Sequence, residues 1–396
     1  MNGLDSSRLA ALLTDLVKID SVNPDLVPGG KGERQIAEYV AKVLEAAGLE
    51  TRLQEVSPGR FNALGLLRGR AGGRRLMLNG HLDTVGVRGM EEPFSGRIEG
   101  GRLYGRGAED MKSGIAAALV AVEALAAEGL EAGEVLVAAV ADEEYKSAGT
   151  RGLLASRVRA DAAIVMEPTN LAVVTAHKGF VWADIETEGR AAHGSRPDEG
   201  RDAIAAMGRV LVEIESTQSA LDEAPGHALV GHGSVHASLI AGGQELSSYP
   251  ARCHLSLERR LVPGEDGVTF EQELNWILAR LSSQDPDFRA DYRLGYSAKP
   301  FEISRESSWA RQVLGCAREV MGPNTGFGVQ SFWTDAALLA EAGIDTVVFG
   351  PRGQGLHSAS EYVDLESVAL CARTLYQCAR QFCCNHLSPP PPGNLG

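Results

Sequence analysis

The run EVLVAAVADEE, Glu134 to Glu144, decides the architecture of this chain. After its first residue it shows no polar alternation until Asp142, so a strand built from it is apolar on both faces. Such strands belong to sheets covered on both sides, as in α/β layers. DAAIVM (161–166) and DTVVFG (345–350) read the same way. Leu9, Leu12, Leu13, Leu16 and Ile19 recur at helical spacing, as do Ile36, Val40, Val43 and Leu44. SGIAAALVAVEALAAE (113–128) is a small-residue helix, and 364–382 closes the pattern as another. FNALGLLRG (61–69) and RRLMLNG (74–80) are strand-like. Strands alternating with helices predict an α/β layer fold.

The pattern changes near Lys178. VWADIETEG (181–189) alternates, and a helix over 201–216 carries Ile204, Met207, Val210, Leu211 and Ile214 on one face. A polar, histidine-bearing loop follows. CHLSLERRL (253–261) is strand-like, a helix covers about 268–283, and DFRADYRLGY (287–296) supplies a last strand. The order approximates β-α-β-β-α-β, a ferredoxin-like α+β unit set into the chain as a lid. The expected organisation is a catalytic domain over 1–177 and 297–386, an inserted lid and dimerisation domain over 178–296, and a disordered, proline-rich tail over 387–396. A domain interrupted by another favours a small-molecule site between them.

The formal net charge of −14 over 396 residues argues against nucleic acid and against an acidic membrane surface as partners. No apolar stretch reaches membrane-spanning length, and MNGLDSSRLA lacks the basic start and apolar core of a signal peptide, which predicts a cytoplasmic protein. The six cysteines form no CxxC pair and read as buried or incidental thiols.

Acidic and imidazole side chains gather at the strand ends and glycine turns: His81 and Asp83 (LNGHLDTV), Asp110 (GRGAEDMKSG), Asp142, Glu143 and Glu144 (ADEEYKS), Glu167 (VMEPT) and His357 (GLHSASEY). There the backbone is fixed while the side chains point into a crevice. Taken singly, DEE could be a solvated turn, HLD a capped turn, and His357 an ordinary loop residue. Taken together, imidazoles and carboxylates suit a divalent transition metal. Two metals about 3.5–4 Å apart need a bridging carboxylate, for which Asp110 in its glycine turn is suited. Of the adjacent Glu143 and Glu144, one can bind metal while the other takes a proton from the attacking water. Asp83 is placed to accept the second imidazole hydrogen of His81.

With these elements the chain resembles the M20 family of co-catalytic zinc peptidases and deacylases, the group of acetylornithine deacetylase, succinyl-diaminopimelate desuccinylase, aminoacylase-1 and carboxypeptidase G2. LNGHLDTV, GRLYGRGAEDMKSG, DEE, EPT and GLHSASEYV fall in family order between about residues 10 and 383. The resemblance implies a three-layer α/β zinc-peptidase-like catalytic domain with the ferredoxin-like insert. It implies two Zn2+ per subunit, with Co2+ or Mn2+ as substitutes, one held by His81 and Glu167, the other by Glu144 and His357, and Asp110 bridging. Glu143 is then the general base, and the Asp110–Met111 peptide resembles one that is cis in the family. Auxin-conjugate hydrolases carry a ligand cysteine in a CGHD context that this chain lacks. GRAAHGSRPDEGRDAI resembles the lid segment whose histidine, here His193, reaches the active site of a neighbouring subunit; as residues alone, a cap or packing role is favoured over a catalytic one. Arg260 (SLERRLVPGE) resembles the arginine that receives a substrate carboxylate, with Glu258 in place of the usual aspartate, and Ser247 (GGQELSSYP) stands where an asparagine is usual. Arg259 beside it should face the opposite side of the strand.

The function implied is hydrolysis of the amide of an N-acyl amino acid, with the same metals serving a dipeptidase or carboxypeptidase as the alternative; the assembly the resemblance implies is a homodimer through the insert. A non-catalytic binding protein is disfavoured by the retained Glu143. A nucleotide-binding enzyme is disfavoured by the absence of GxGxxG after a strand and of a Walker-type loop. Asp335 (FWTDAALL) is either a partner for a basic substrate tail or structural.

Overall fold

The computed structural model describes residues 4–384; the tail expected to be disordered, 387–396, lies outside the described residues. The chain divides into two units. The first takes in the chain through Thr175, Ile303–Gly328 and the chain from Thr334; the second is Ala176–Glu302 with Val329–Trp333. The sequence pattern predicts the insert over 178–296. The strand Arg289–Ala298 runs past that limit, and Phe301–Glu302 pairs back onto Ala176 and His177.

A mixed sheet forms the centre of the first unit. In spatial order it contains Glu50–Ser57, Arg60–Arg68, Ala132–Val140, Ala71–His81, Ala162–Val165, Asp345–Val348 and Val173–His177. Ala132–Val140, Ala71–His81, Ala162–Val165 and Asp345–Val348 are mutually parallel. Both side-chain sets of Ala132–Val140 are buried, as its sequence requires. Val135, Val137 and Ala139 join a core with the helices Ser6–Lys18, Arg34–Ala46, Lys112–Glu128, Ser308–Met321 and Leu365–Cys384, while Leu136, Ala138 and Val140 are buried on the other face. Lys112–Glu128 needs its small residues: a Cβ on Gly114 would lie 2.2 Å from the Met166 carbonyl oxygen. A separate small sheet joins Gly353–Gln354, Tyr362–Asp364, Arg102–Tyr104 and Arg97–Glu99.

The second unit is ferredoxin-like. Its elements run Gly179–Glu188, Ala203–Glu223, Ser234–Gly242, Arg252–Leu261, Gly267–Gln284 and Arg289–Ala298, and its antiparallel sheet places Gly179–Glu188 between Arg252–Leu261 and Arg289–Ala298. The loop expected after the first helix differs. The helix continues to Glu223, and Ser234–Gly242 forms the edge strand beyond Arg252–Leu261. Its exposed residues include Leu239 and Ile240, so the alternation that marks a half-buried strand is missing.

Candidate functional site

Parallel register assembles most of the site. His81 pairs with Val140 and Asn79 with Val165, so three neighbouring strands release their next residues along one line: His81 to Asp83, Asp142 to Glu144, and Glu167. Carboxyl ends of parallel strands are where open α/β sheets place their ligands. Asp110 and His357 come from the small sheet, one following Arg102–Tyr104 and the other lying between Gly353–Gln354 and Tyr362–Asp364.

The two imidazoles face a common carboxylate. His81 Nε2 lies 3.1 Å from Asp110 Oδ1, and His357 Nε2 lies 3.3 Å from Asp110 Oδ2. His81 Nε2 is also 3.5 Å from Glu167 Oε1 and 3.9 Å from Glu143 Oε2, whereas His357 Nε2 is 3.2 Å from Glu144 Oε2. Among the described residues, His81, Asp110 and Glu144 offer ligand atoms all within 4.8 Å of one another, and so do His81, Glu143 and Glu167. The Asp110–Met111 peptide is cis.

Electrostatics show what the cluster lacks. Burial, with neighbouring carboxylates, pushes Glu143 and Glu167 well above the usual carboxylate range, and Glu144 is raised by burial and by Asp110. Burial acts the same way on Asp110, but hydrogen bonds from His357 and His81 outweigh it and hold this carboxyl low. Hydrogen bonds to Asp110 and Glu144 raise His357 to about 10. At His81 burial opposes the charged form, yet the charge of Glu167 and the bond to Asp110 carry it well above its ordinary value. Glu144 Oε1 is buried with no hydrogen-bond partner among the described residues. Buried carboxylates without matching positive charge are costly. A divalent cation supplies that charge, and the nitrogen and oxygen donors suit a transition metal. The residues present fit such an ion.

Asp83 works differently from the expectation. The Asp83 backbone oxygen, 2.9 Å from His81 Nδ1, is the nearer partner of the ring, and the carboxylate is 3.6 Å away. That carboxylate accepts the Glu143 and Glu144 amides at 3.1 and 3.2 Å and the Asn23 side-chain amide at 2.8 Å. It therefore sets the path of the backbone that carries both glutamates.

Behind it lies a buried ion network absent from the sequence reading. Arg60 donates to Glu33 through Nε at 2.7 Å, to Asp142 Oδ1 at 3.0 Å and to Asp25, and Asn23 bridges Asp83 and Asp142. Asp142 takes a positive φ of 66°, and its amide donates to Glu33. Removing one partner of a buried pair leaves the others charged and unpaired, so Arg60→Ala is expected to cost about 3–5 kcal/mol, measured by urea unfolding. The exposed Arg68, paired with Glu50 and Glu134, should cost no more than about 1 kcal/mol in the same assay. Equal losses would remove the distinction.

The remaining candidates lie in the second unit. His193 is exposed, and its Nδ1 accepts the Ser195 amide at 3.2 Å. Ser247 is exposed nearby, its backbone oxygen accepting the Gly194 amide at 2.7 Å. Arg260 is half-buried, with Nε donating to Glu258 Oε1 at 2.7 Å and its guanidinium 5.4 Å from the centre of the Phe180 ring. Arg259 is buried on the other face between Glu265 and Glu273, each 3.0 Å away. In the first unit, Asp335 is buried and accepts the Thr150 hydroxyl at 2.6 Å through one oxygen, while the other has no hydrogen-bond partner among the described residues.

A family model described as peptidase family M20/M25/M40 matches residues 77–381. An acetylornithine deacetylase of Myxococcus xanthus is 32% identical over 393 residues, covering 95% of this chain and 97% of that protein. The chain belongs to peptidase family M20/M25/M40. It is thus a hydrolase acting on amide bonds. Solved structures agree on the fold. A tripeptidase from Staphylococcus aureus superposes with a TM-score of 0.79 at 18% identity, covering 96% of this chain and all of that one. An M20 family metallo-carboxypeptidase from Sulfolobus solfataricus gives 0.76 at 18% identity, with 94% and 99% covered. Among the described residues no helix is long and apolar enough to cross a membrane.

Proposed function

We propose that this M20 hydrolase removes the acyl group from an N-acyl amino acid, in the manner of acetylornithine deacetylase or succinyl-diaminopimelate desuccinylase, and that it acts in the cytoplasm. The observation that carries the reading is the Asp110 carboxylate set between His81 and His357, with Glu144 and Glu167 beside them. Likeness along 95% of the chain to an acetylornithine deacetylase supports the choice of deacylase. Two zinc ions, with cobalt or manganese as substitutes, would be held by His81 and Glu167 on one side and by Glu144 and His357 on the other, with Asp110 shared. When bound, such a pair polarises the amide carbonyl and acidifies the attacking water.

Glu143 accepts the proton of that water and later returns it to the leaving amine nitrogen, so the acyl carbon–nitrogen bond breaks without a free amide anion. Asp83 fixes Glu143 through its amide. His193 donates to the oxygen that becomes negative. Because Nδ1 accepts the Ser195 amide, the neutral ring carries its proton on Nε2, the outward donor this role needs. Arg260 holds the free carboxylate, with Ser247 as a further contact to substrate.

Screening zinc-loaded protein against N-acetylornithine, N-succinyl-diaminopimelate, other N-acetyl amino acids and dipeptides tests the reading. Faster turnover of dipeptides or of peptides with a free C-terminus would replace it with the dipeptidase or carboxypeptidase alternative.

We also propose a homodimer through the second unit, with His193 serving the partner's site. Among the described residues Ser234–Gly242 is an edge strand that exposes the apolar Leu239 and Ile240, features that invite a second copy. Light scattering at micromolar concentration should give twice the 42.0 kDa chain mass. A fully active monomer would sink both the dimer and the shared histidine.

A further inference from the structure

Asp110 and His357 come from segments far apart in the chain, and one buried ion pair joins those segments. Arg106 and Glu361 are 2% and 1% exposed, and Arg106 Nη1 donates to Glu361 Oε2 at 2.6 Å. The same Glu361 carboxylate accepts the amides of Gly107 at 3.1 Å, Glu109 at 2.8 Å and Asp110 itself at 3.1 Å. Arg106 reaches back to the histidine loop, donating through Nη2 to the Ser358 carbonyl at 2.8 Å, and through Nε to Gly86 at 3.1 Å.

Besides these bonds the histidine loop is held by the His357 ring against Asp110 and Glu144 and by the Leu356 backbone, which hydrogen-bonds Glu109. Leu356 to Ser360 are exposed, and His357 takes a positive φ of 57°, a conformation that non-glycine residues keep only where surroundings impose it. The Ser358 side chain bonds within the loop, to Gly355 and Ser360. Glu361, at the start of the strand return, fixes one end of the loop to the Asp110 turn, and Arg106 fixes its middle.

We propose that the Arg106–Glu361 pair is a staple that positions Asp110 and His357 together, so that the cation position of Asp110, Glu144 and His357 forms only while it is closed. The proposal rests on the two-metal reading above. Neither residue touches substrate; both are positioning residues. The His81 and Glu167 side is built on strand ends and meets the staple only through the shared Asp110, so the staple bears on it less.

Hydrogen exchange of the metal-free protein tests the staple without metal or turnover. In Glu361→Gln, peptides covering 104–110 and 353–361 should lose protection together, by about tenfold or more, because charged hydrogen bonds are lost from both. Competition with a chelator tests the consequence. One zinc equivalent should weaken clearly less, through Asp110 alone, and the equivalent on the Glu144 and His357 side should bind about 10–100-fold more weakly. His357→Ala should weaken the same equivalent, and adding Glu361→Gln to it should weaken that equivalent little further. The charge-free pair Arg106→Met with Glu361→Gln carries both measurements should the single variant fail to fold, since it leaves no buried charge unpaired. Unchanged exchange at 353–361 overturns the staple, as does equal weakening of both equivalents in a folded variant. A natural chain that binds fewer than two equivalents overturns the two-metal reading, while the exchange result still decides the staple.

Discussion

Glu143→Gln is expected to keep both cations and lower kcat by at least about two orders of magnitude, whereas Glu144→Gln loses metal. The two glutamates are adjacent, and the Asp83 carboxylate holds both their amides, yet their side chains meet different partners. Glu144 Oε2 stands 3.2 Å from His357 Nε2, its partner in the proposed cation position. Glu143 Oε2 is 3.9 Å from His81 Nε2, and burial, with Glu167 and Asp335 nearby, raises its pKa. A base must hold the proton between attack and departure of the amine, and a glutamine of the same shape cannot. The amide substitution leaves the fold and the acids around it in place, so metal analysis and steady-state rates separate the two roles. Glu143 also forms a three-ligand group with His81 and Glu167. Equal metal loss in both variants would therefore make Glu143 a ligand and require another base.

How far the sequence discloses this arrangement depends on burial. Ala132–Val140 is readable because both its faces are covered, so its composition departs from that of any surface segment. Glu50–Ser57 and Ser234–Gly242 are hard to read because they are edge strands whose exposed positions show no regular alternation, and the apolar Leu239–Ala241 is too short to mark a strand. The acids that follow buried strands stand out against an apolar background, and the structure brings them together with His81 and His357. Spacing alone does not tell that His81 meets the carbonyl of Asp83 more closely than its carboxylate, since both belong to one residue two positions away. Arg60 and Glu361 are less legible still. Their partners lie 82 and 255 positions off in Asp142 and Arg106, and only the folded chain shows that these charges are buried. The one available signal was Glu361 in the same SASEY stretch as His357.

The second large effect concerns the substrate carboxylate. Arg260→Ala is expected to reduce kcat/KM for an N-acyl amino acid by about 30-fold or more, because a buried arginine–carboxylate contact broken on one side costs about 2–5 kcal/mol. The structure sharpens the claim. Glu258, longer than the aspartate usual there, takes Arg260 Nε with one oxygen and the Trp182 indole N–H with the other, at 2.7 and 3.1 Å. That fixes the plane of the guanidinium while Nη1 and Nη2 keep no partner among the described residues. Two parallel N–H donors on one edge are what a carboxylate accepts in a bidentate fork. The pairing with Glu258 also reduces the net charge presented, so the contact depends on geometry more than on long-range attraction. The matching amino-acid amide has no carboxylate and should lose little in the variant. Measuring both enzymes on both substrates isolates the contact as a coupling term. If acid and amide lose the same factor, Arg260 is structural, and the substrate class widens from N-acyl amino acids to amides without a free carboxylate.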